Sequence, residues 1–387
     1  MDTTVDWSNL PVELWPLIGD KLKIWIEFLR FRSVCHSWRS CLPRFNPSIL
    51  PKFPFPYSDG PNAFVSENTV YLLRNPSTSS PSPSSRGWLV KVEESDKLRL
   101  RNPITSRRIR YANDSSFLEA FNLLDFNMTE LSKSYVLRYI HGSGSVCGLN
   151  KVIIVPPDFN DCAIIVICDK GMLSFAKNGD QKLTLISHGG FVCDDIIVYK
   201  GQPYVVDSLG SVFRIDSSFK VVELLCKLVG LGGRRKHLVE SCGELYVVDR
   251  YFEQEPNKQE DSGVDFPLSF LVFGLRGRRE RFESRDPKAV EFKVYKLDLL
   301  DEEGGRWIEV KSLGDQAFFL AMDCSFSVLA QEVAGCKGNC IYFTDQNDLN
   351  LALREVTRPE SSVFNLEDHS IQRLGSSQIF CPLASGD

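Results

Sequence analysis

The stretch AIIVICDKGMLSFAKNGDQKLTLIS, residues 163–187, reads as three strands separated by two turns. AIIVIC is a short apolar run rich in β-branched residues, DKG and NGD supply turn chemistry, and LSFAK and LTLIS resume the extended pattern. Outward from it, DDIIVYKGQPYVVDSLGSVFRID (194–216) repeats the scheme with KGQ and SLGS as turns, and SCGELYVVDRYF (241–252) adds another hairpin. FKVYKLD (292–298), RWIEVKSL (306–313), CSFSVLA (324–330) and NCIYFTD (339–345) continue it, and NAFVSENTVYLL (62–73) is strand-like nearer the start. Comparable strands beginning at Ile164 and Ile196, and at Val294 and Ile341, lie 32 and 47 residues apart. That range brackets a four-stranded propeller blade of roughly 40–50 residues. Helical periodicity is nearly absent after residue 45, except in SFLEAFNLLDF (116–126). The expected fold is mainly β with a small N-terminal α unit, the β part being propeller-like over residues 45–387. A pair of β-sandwiches is the alternative.

The helical unit is placed at residues 5–44. In SNLPVELWPLIGDKL (8–22), Leu14, Leu17, Ile18 and Leu22 share one face, and Pro11 suits a first-turn position. Pro16 and Gly19 weaken this helix, so a late start or a kink is expected. FLRFRSVCHSWRSCL (28–42) then puts Phe31, Val34, Cys35, Trp38 and Leu42 on an apolar stripe, with Arg30, Arg32, His36 and Arg39 between them, until Pro43 breaks the pattern. So short an amphipathic unit buries too little to be comfortably stable alone and calls for a partner, either the following domain or another protein.

Composition narrows the classes. At 387 residues the chain is long for one compact core, and 43% hydrophobic with 25% charged residues is ordinary for a globular protein. A formal charge of −5 gives no electrostatic reason to expect a nucleic-acid partner. No apolar stretch is long enough to span a bilayer, and MDTTVDWSNLP lacks the basic start and apolar run of a signal peptide. No membrane association is therefore expected, and the expected location is the nucleus, the cytoplasm or both. The twelve cysteines then read as reduced thiols, several of them, such as Cys162, Cys168 and Cys193, acting as small buried hydrophobes. There is no CxxC pair and the five histidines are scattered, so neither metal nor cofactor is expected. PSTSSPSPSS (76–85) reads as a mobile loop, and the segments 253–265 and 276–288 read as solvated insertions, the second with six basic and three acidic residues.

No catalytic constellation stands out. HGSGSVCG (141–148) lacks the ending of a phosphate loop and opens no helix, SHGG (187–190) has no accompanying GxSxG elbow, and Asp194 and Asp195 are expected to point to opposite faces of a strand.

LPVELWPLIGDKL (10–22) followed by FLRFRSVCHSWRS (28–40) resembles an F-box, through Leu10, Pro11, Glu13, Leu14, Ile18, Leu22, Leu29, Val34, Cys35 and Trp38. KIWIE (23–27) departs from the pattern, because Ile24 and Trp25 stand where a polar cap is usual. RNPITSRRI, KGMLSFAKNGDQKLTLIS, DDIIVYKGQPYVVD, CGELYVVDRY, FKVYKLD, RWIEVKSLGDQAFFL and GNCIYFTD are similar to phrases of plant F-box proteins with a kelch-related β-propeller-like domain. This likeness covers most of the chain from about Gly87 onward.

The resemblance implies a non-catalytic substrate receptor of an SCF-type ubiquitin ligase. Its F-box would dock a Skp-type adaptor and through it a cullin–RING ligase, while the β domain captures a target protein that the sequence does not name. It implies Leu10, Pro11, Leu14, Ile18, Leu22, Leu29, Val34, Cys35 and Trp38 as adaptor-binding residues, with Trp38 and Leu14 foremost. Phe31, Val34, Cys35, Trp38 and Leu42 would be part internal core and part interface. The competing expectation is a propeller scaffold or ligand-binding protein whose degenerate F-box recruits no ligase.

Overall fold

The computed structural model describes residues 10–19, 25–41, 50–56, 59–74, 86–93, 99–109, 126–141, 145–146, 148–155, 162–168, 171–186, 192–223, 233–253, 288–298, 306–321, 323–344 and 361–374. The segment 76–85, nearly all of 116–126, 253–265 and 276–288, and the whole of 187–190 lie outside them.

The N-terminal unit is three short helices. α1 (Leu14–Gly19) starts late, after a turn in which the Leu14 amide donates to the Pro11 carbonyl at 3.0 Å. The continuous helix expected over 28–42 is instead two, α2 (Trp25–Val34) and α3 (His36–Cys41), interrupted at Cys35. The interruption splits the expected stripe. Phe31 and Trp38 turn inward, and Val34 and Cys35 are exposed.

Among the described residues the strands form five blades in four sheets, the first two blades being joined into one nine-stranded sheet by a single pairing of Tyr135 with Val152. The first comprises β2 (Ala63–Arg74), β3 (Trp88–Glu93), β4 (Arg99–Arg101) and β5 (Asn127–Tyr139) in the order β4-β3-β2-β5, and β1 (Lys52–Phe53) pairs with the start of β2. The second is β6 (Leu149–Val155), β7 (Ala163–Cys168), β8 (Leu173–Lys177) and β9 (Thr184–Leu185). The third is β10 (Cys193–Tyr199), β11 (Gln202–Asp207), β12 (Val212–Ile215) and β13 (Val221–Glu223). The fourth is β14 (Arg235–Ser241), β15 (Glu244–Phe252), β16 (Ala289–Asp298) and β17 (Arg306–Val310). The fifth runs β19-β18-β20-β21-β22, from β18 (Gln316–Leu320), β19 (Ser325–Leu329), β20 (Cys340–Thr344), β21 (Ser361–Asn365) and β22 (Ile371–Arg373). Within it β18 and β20 are parallel; the other pairings between these strands are antiparallel, and an isolated parallel bridge joins Gly87 to Val333.

The hairpins follow from local chemistry. Lys200-Gly201 and Cys242-Gly243 are two-residue loops in which both residues have positive φ, the turn whose twist suits adjoining antiparallel strands. In the SLGS turn, Asp207 accepts hydrogen bonds from the Leu209 and Ser211 amides.

Five apolar interfaces close the blades into a ring. Val65, Leu137 and Phe53 meet Ile154 and Ile164 between the first and second blades. Ile165 meets Val205 between the second and third, Val206 meets Val247 between the third and fourth, and Val248 meets Phe343 between the fourth and fifth. The last interface joins the ends: Val70, Leu72 and Leu89 pack with Phe319, Phe326 and Tyr342, whose rings stack at 5.0 and 4.6 Å on Phe319. Gly87 reinforces it through backbone bonds to Glu332 and Ala334, both 2.8 Å. A sandwich pair has no such closing contact, so the alternative is set aside. The spacing of 32 residues compares strands at unlike places, β7 being second and β10 first in their blades, whereas the spacing of 47 joins β16 and β20, each third from the inner strand. Inner strands β6, β10 and β14 begin at Leu149, Cys193 and Arg235, 44 and 42 residues apart.

Candidate functional site

Two regions carry functional chemistry. In the helical unit, Trp15 and Phe31 are buried, and Leu10, Ile18, Trp38 and Cys41 pack against them. The Trp38 ring lies 4.4 Å from Phe31 and 6.4 Å from Trp15, centroid to centroid. Around this core Val12, Leu14, Leu17 and Val34 stay 57%, 41%, 60% and 59% exposed. Pro11 and Cys35 are exposed too, and the Cys35 sulfur accepts the Trp38 amide. Of the expected adaptor-binding residues, the structure brings Leu10, Ile18 and Trp38 together inside and leaves Pro11, Leu14, Val34 and Cys35 outside. Leu22 and Leu42 lie outside the described residues, and of Leu29 only its place on α2 is described. The expected face of Leu14, Leu17 and Ile18 is divided, because Trp15 takes the inward position. The signal was present: Trp15, Ile18 and Gly19 also fall at i, i+3, i+4, and the largest side chain gains most from burial.

The second region is the wall of the ring. Strands β5, β6, β10, β14 and β19 each pack against the next, and β19 returns to β5. Charged side chains tie these inner strands together. Lys91, fully buried, lies 2.5 Å from Asp323, and Ser106 and Ser134 also donate to that carboxylate. Burial pushes Asp323 up, but Lys91 with the two hydroxyls holds it below the ordinary carboxylate value. Lys151 pairs with Asp195 at 2.5 Å, and Asp195 also accepts the Leu238 amide. Its neighbour Asp194 accepts the Lys236 amide. The expectation that Asp194 and Asp195 face opposite ways is therefore corrected. A register shift between Cys193 and Asp195 turns both carboxylates onto the backbone of β14, where they clamp two blades together.

Beside this wall lies a cavity of about 90 Å³, lined by Asn68, Arg101, Tyr135, Arg138, Lys151 and Asp323 among others. Glu93, buried on β3, receives Arg101 and Arg138, with Arg99 at 3.6 Å. Ser145 and Val146, from the glycine-rich HGSGSVCG segment, also line the cavity. No motif or spacing in the sequence singles these residues out as a site. The signal was charge inside strands, Lys91 and Glu93 in WLVKVE and Arg138 in SYVLRY, where solvated residues would be expected to alternate with apolar ones.

Among the described residues no three His, Cys, Asp or Glu side chains converge as a metal site, and no helix is long and apolar enough to cross a membrane. Cys35, Cys41, Cys193, Cys242, Cys324, Cys336 and Cys340 carry free thiols.

The KIB1-4 beta-propeller family model matches residues 62–366. A putative F-box protein of Arabidopsis thaliana is 34% identical over 358 residues, covering 88% of this chain and 89% of its own length. The chain belongs to the plant F-box proteins with a KIB1-4 β-propeller. F-box protein SKIP23 of the same plant is 28% identical, over 88% of this F-box protein and 84% of its own length. Among solved structures, TolB from Acinetobacter baumannii aligns with 81% of this chain and 64% of its own at 13% identity and a TM-score of 0.29, too slight to carry an argument.

Proposed function

We propose that this F-box protein is the non-catalytic substrate receptor of an SCF-type ubiquitin ligase, acting in the nucleus, the cytoplasm or both. The helical unit docks a Skp-type adaptor and so reaches a cullin–RING ligase, and the propeller holds a target protein. The observation that carries this is the helical unit itself: an aromatic core that leaves four large aliphatic residues in water, in a chain whose relatives are named F-box proteins. Exposed aliphatics on so small a unit are what a partner surface offers. The work done is positional, raising the effective concentration of the target's lysines near a recruited ubiquitin-conjugating enzyme. The chain's own residues bind and orient; the bond-making belongs to the recruited enzymes.

The test is co-purification of the full chain with a Skp-type adaptor, beside a chain lacking residues 1–44. Retention of the adaptor only by the full chain supports the reading. An intact chain that retains none points to a propeller scaffold or ligand-binding protein with an idle F-box.

A further inference from the structure

The charges beside the cavity do not balance. Lys91 is matched by Asp323 and Lys151 by Asp195, but the single Glu93 carboxylate serves Arg99, Arg101 and Arg138. Among the described residues this leaves one carboxylate for three guanidiniums. Arg101 spends its donors on Glu93 and on the Ser106 carbonyl. Arg138 does not: its Nε is buried with no partner among the described residues, and so is the Oδ1 of Asn68, a side chain 3% exposed that lines the same cavity. Burial, with Arg101 and Arg99 close by, holds Arg138 below its ordinary value, and Glu93 alone opposes them. A largely desolvated cation short of countercharge is costly, and a bound anion relieves it.

We propose that this cavity binds one oxyanion, a carboxylate or phosphate group, with Arg138 as its principal donor and Asn68 beside it. The planar guanidinium matches oxyanion geometry, and a half-turn of the Asn68 amide presents an N–H where Oδ1 stands. About 90 Å³ is far below the roughly 300 Å³ or more of a drug-sized pocket, so a single polar head enters. That head belongs either to a free small anion or to an acidic or phosphorylated side chain of a bound protein. The proposal stands whether or not the F-box docks an adaptor.

The experiment is thermal unfolding of the full chain in inorganic phosphate, acetate or chloride at matched ionic strength. Phosphate or acetate is expected to raise the melting temperature saturably, and chloride is not. Arg138→Gln removes the donor and also one partner of Glu93, so its baseline melting temperature falls. Ser145→Asp leaves the Glu93 cluster intact and puts a negative charge on the lining. Each is expected to weaken the apparent anion affinity by about tenfold or more, the worth of one charge-assisted hydrogen bond. Absence of a saturable shift with both anions overturns the proposal, and so does a shift that survives both substitutions. A capped tripeptide with a central phosphoserine or glutamate then separates the sources. Competition with phosphate assigns the site to a protein side chain; failure to compete assigns it to a free anion.

Discussion

Docking and folding make different demands on the helical unit, and two substitutions separate them. Leu14 and Leu17 are 41% and 60% exposed in the free chain, so a partner can cover that much of each. Full burial of a leucine is worth about 2.5 kcal/mol, which leaves about 1 kcal/mol for Leu14 and about 1.5 kcal/mol for Leu17 to gain on docking. Leu14→Ala with Leu17→Ala is thus expected to raise the adaptor Kd by roughly 70-fold, from about 2.5 kcal/mol in total. The same pair shifts folding stability by only about 0.5 kcal/mol, because exposed side chains contribute little to the fold. Trp38→Ala is the converse. It removes a half-buried ring packed on Phe31 and Trp15, at a cost of about 3 kcal/mol, the low end for loss of a large aromatic side chain. A three-helix unit has little stability to spare, so adaptor binding falls with its unfolding. Calorimetric titration of the adaptor, with circular dichroism melts of each variant, reads both quantities. Unchanged adaptor affinity in the double variant would refute the reasoning, as would a Trp38→Ala variant that melts normally and loses only binding.

Gly233 sits against a buried ion pair: a Cβ there would lie 2.0 Å from Asp249 Oδ1, and the Lys236 ammonium is 2.9 Å from that oxygen without hydrogen-bond alignment. Gly233→Ala is expected to cost about 3–5 kcal/mol in a denaturant melt, as breaking a buried pair does, and a normal midpoint would count against the pair. Burial pushes the Asp194 carboxyl up to about 6. The folded state therefore holds a proton that the unfolded chain releases near its ordinary value, and this contribution to stability, fully present below about pH 4, is lost as pH rises to about 6, for roughly 3 kcal/mol. Asp194→Asn should flatten that part of the stability–pH curve, and a curve parallel to the wild type would exclude Asp194 as its source. Arg250 lies 4.8, 5.6 and 5.0 Å from the Phe252, Phe292 and Phe343 ring centroids and donates to the Thr344 carbonyl across two blades. Arg250→Lys keeps the charge but loses the plane, so a loss of about 2 kcal/mol is expected, and equal stability of the two proteins would show that charge alone suffices there.

Local chemistry in the sequence determined the strands, the hairpin turns and the helical start, though not the break at Cys35 that divides its second stretch. Period-2 patterning, Lys200-Gly201, Cys242-Gly243 and the SLGS turn act within a few residues, and their outcome needs no distant contact. The F-box pattern was legible for the same reason, since its residues lie within about thirty positions of one another. Which of those residues face inward was not. Trp15 displaced Leu14 and Leu17 from the core, because helical spacing names two overlapping faces and only packing against Phe31 and Trp38 selects one. The number of blades needed the ring to close, through Val70, Leu72 and Leu89 meeting Phe319 and Tyr342 from the far end of the chain. The cavity beside Glu93 was the least legible. Glu93, Arg138 and Asp323 are separated by 45 and then by 185 residues, and no local pattern links charges that far apart. Only the ring brings them to one wall, where low dielectric and shared partners give each side chain a role its own strand does not specify.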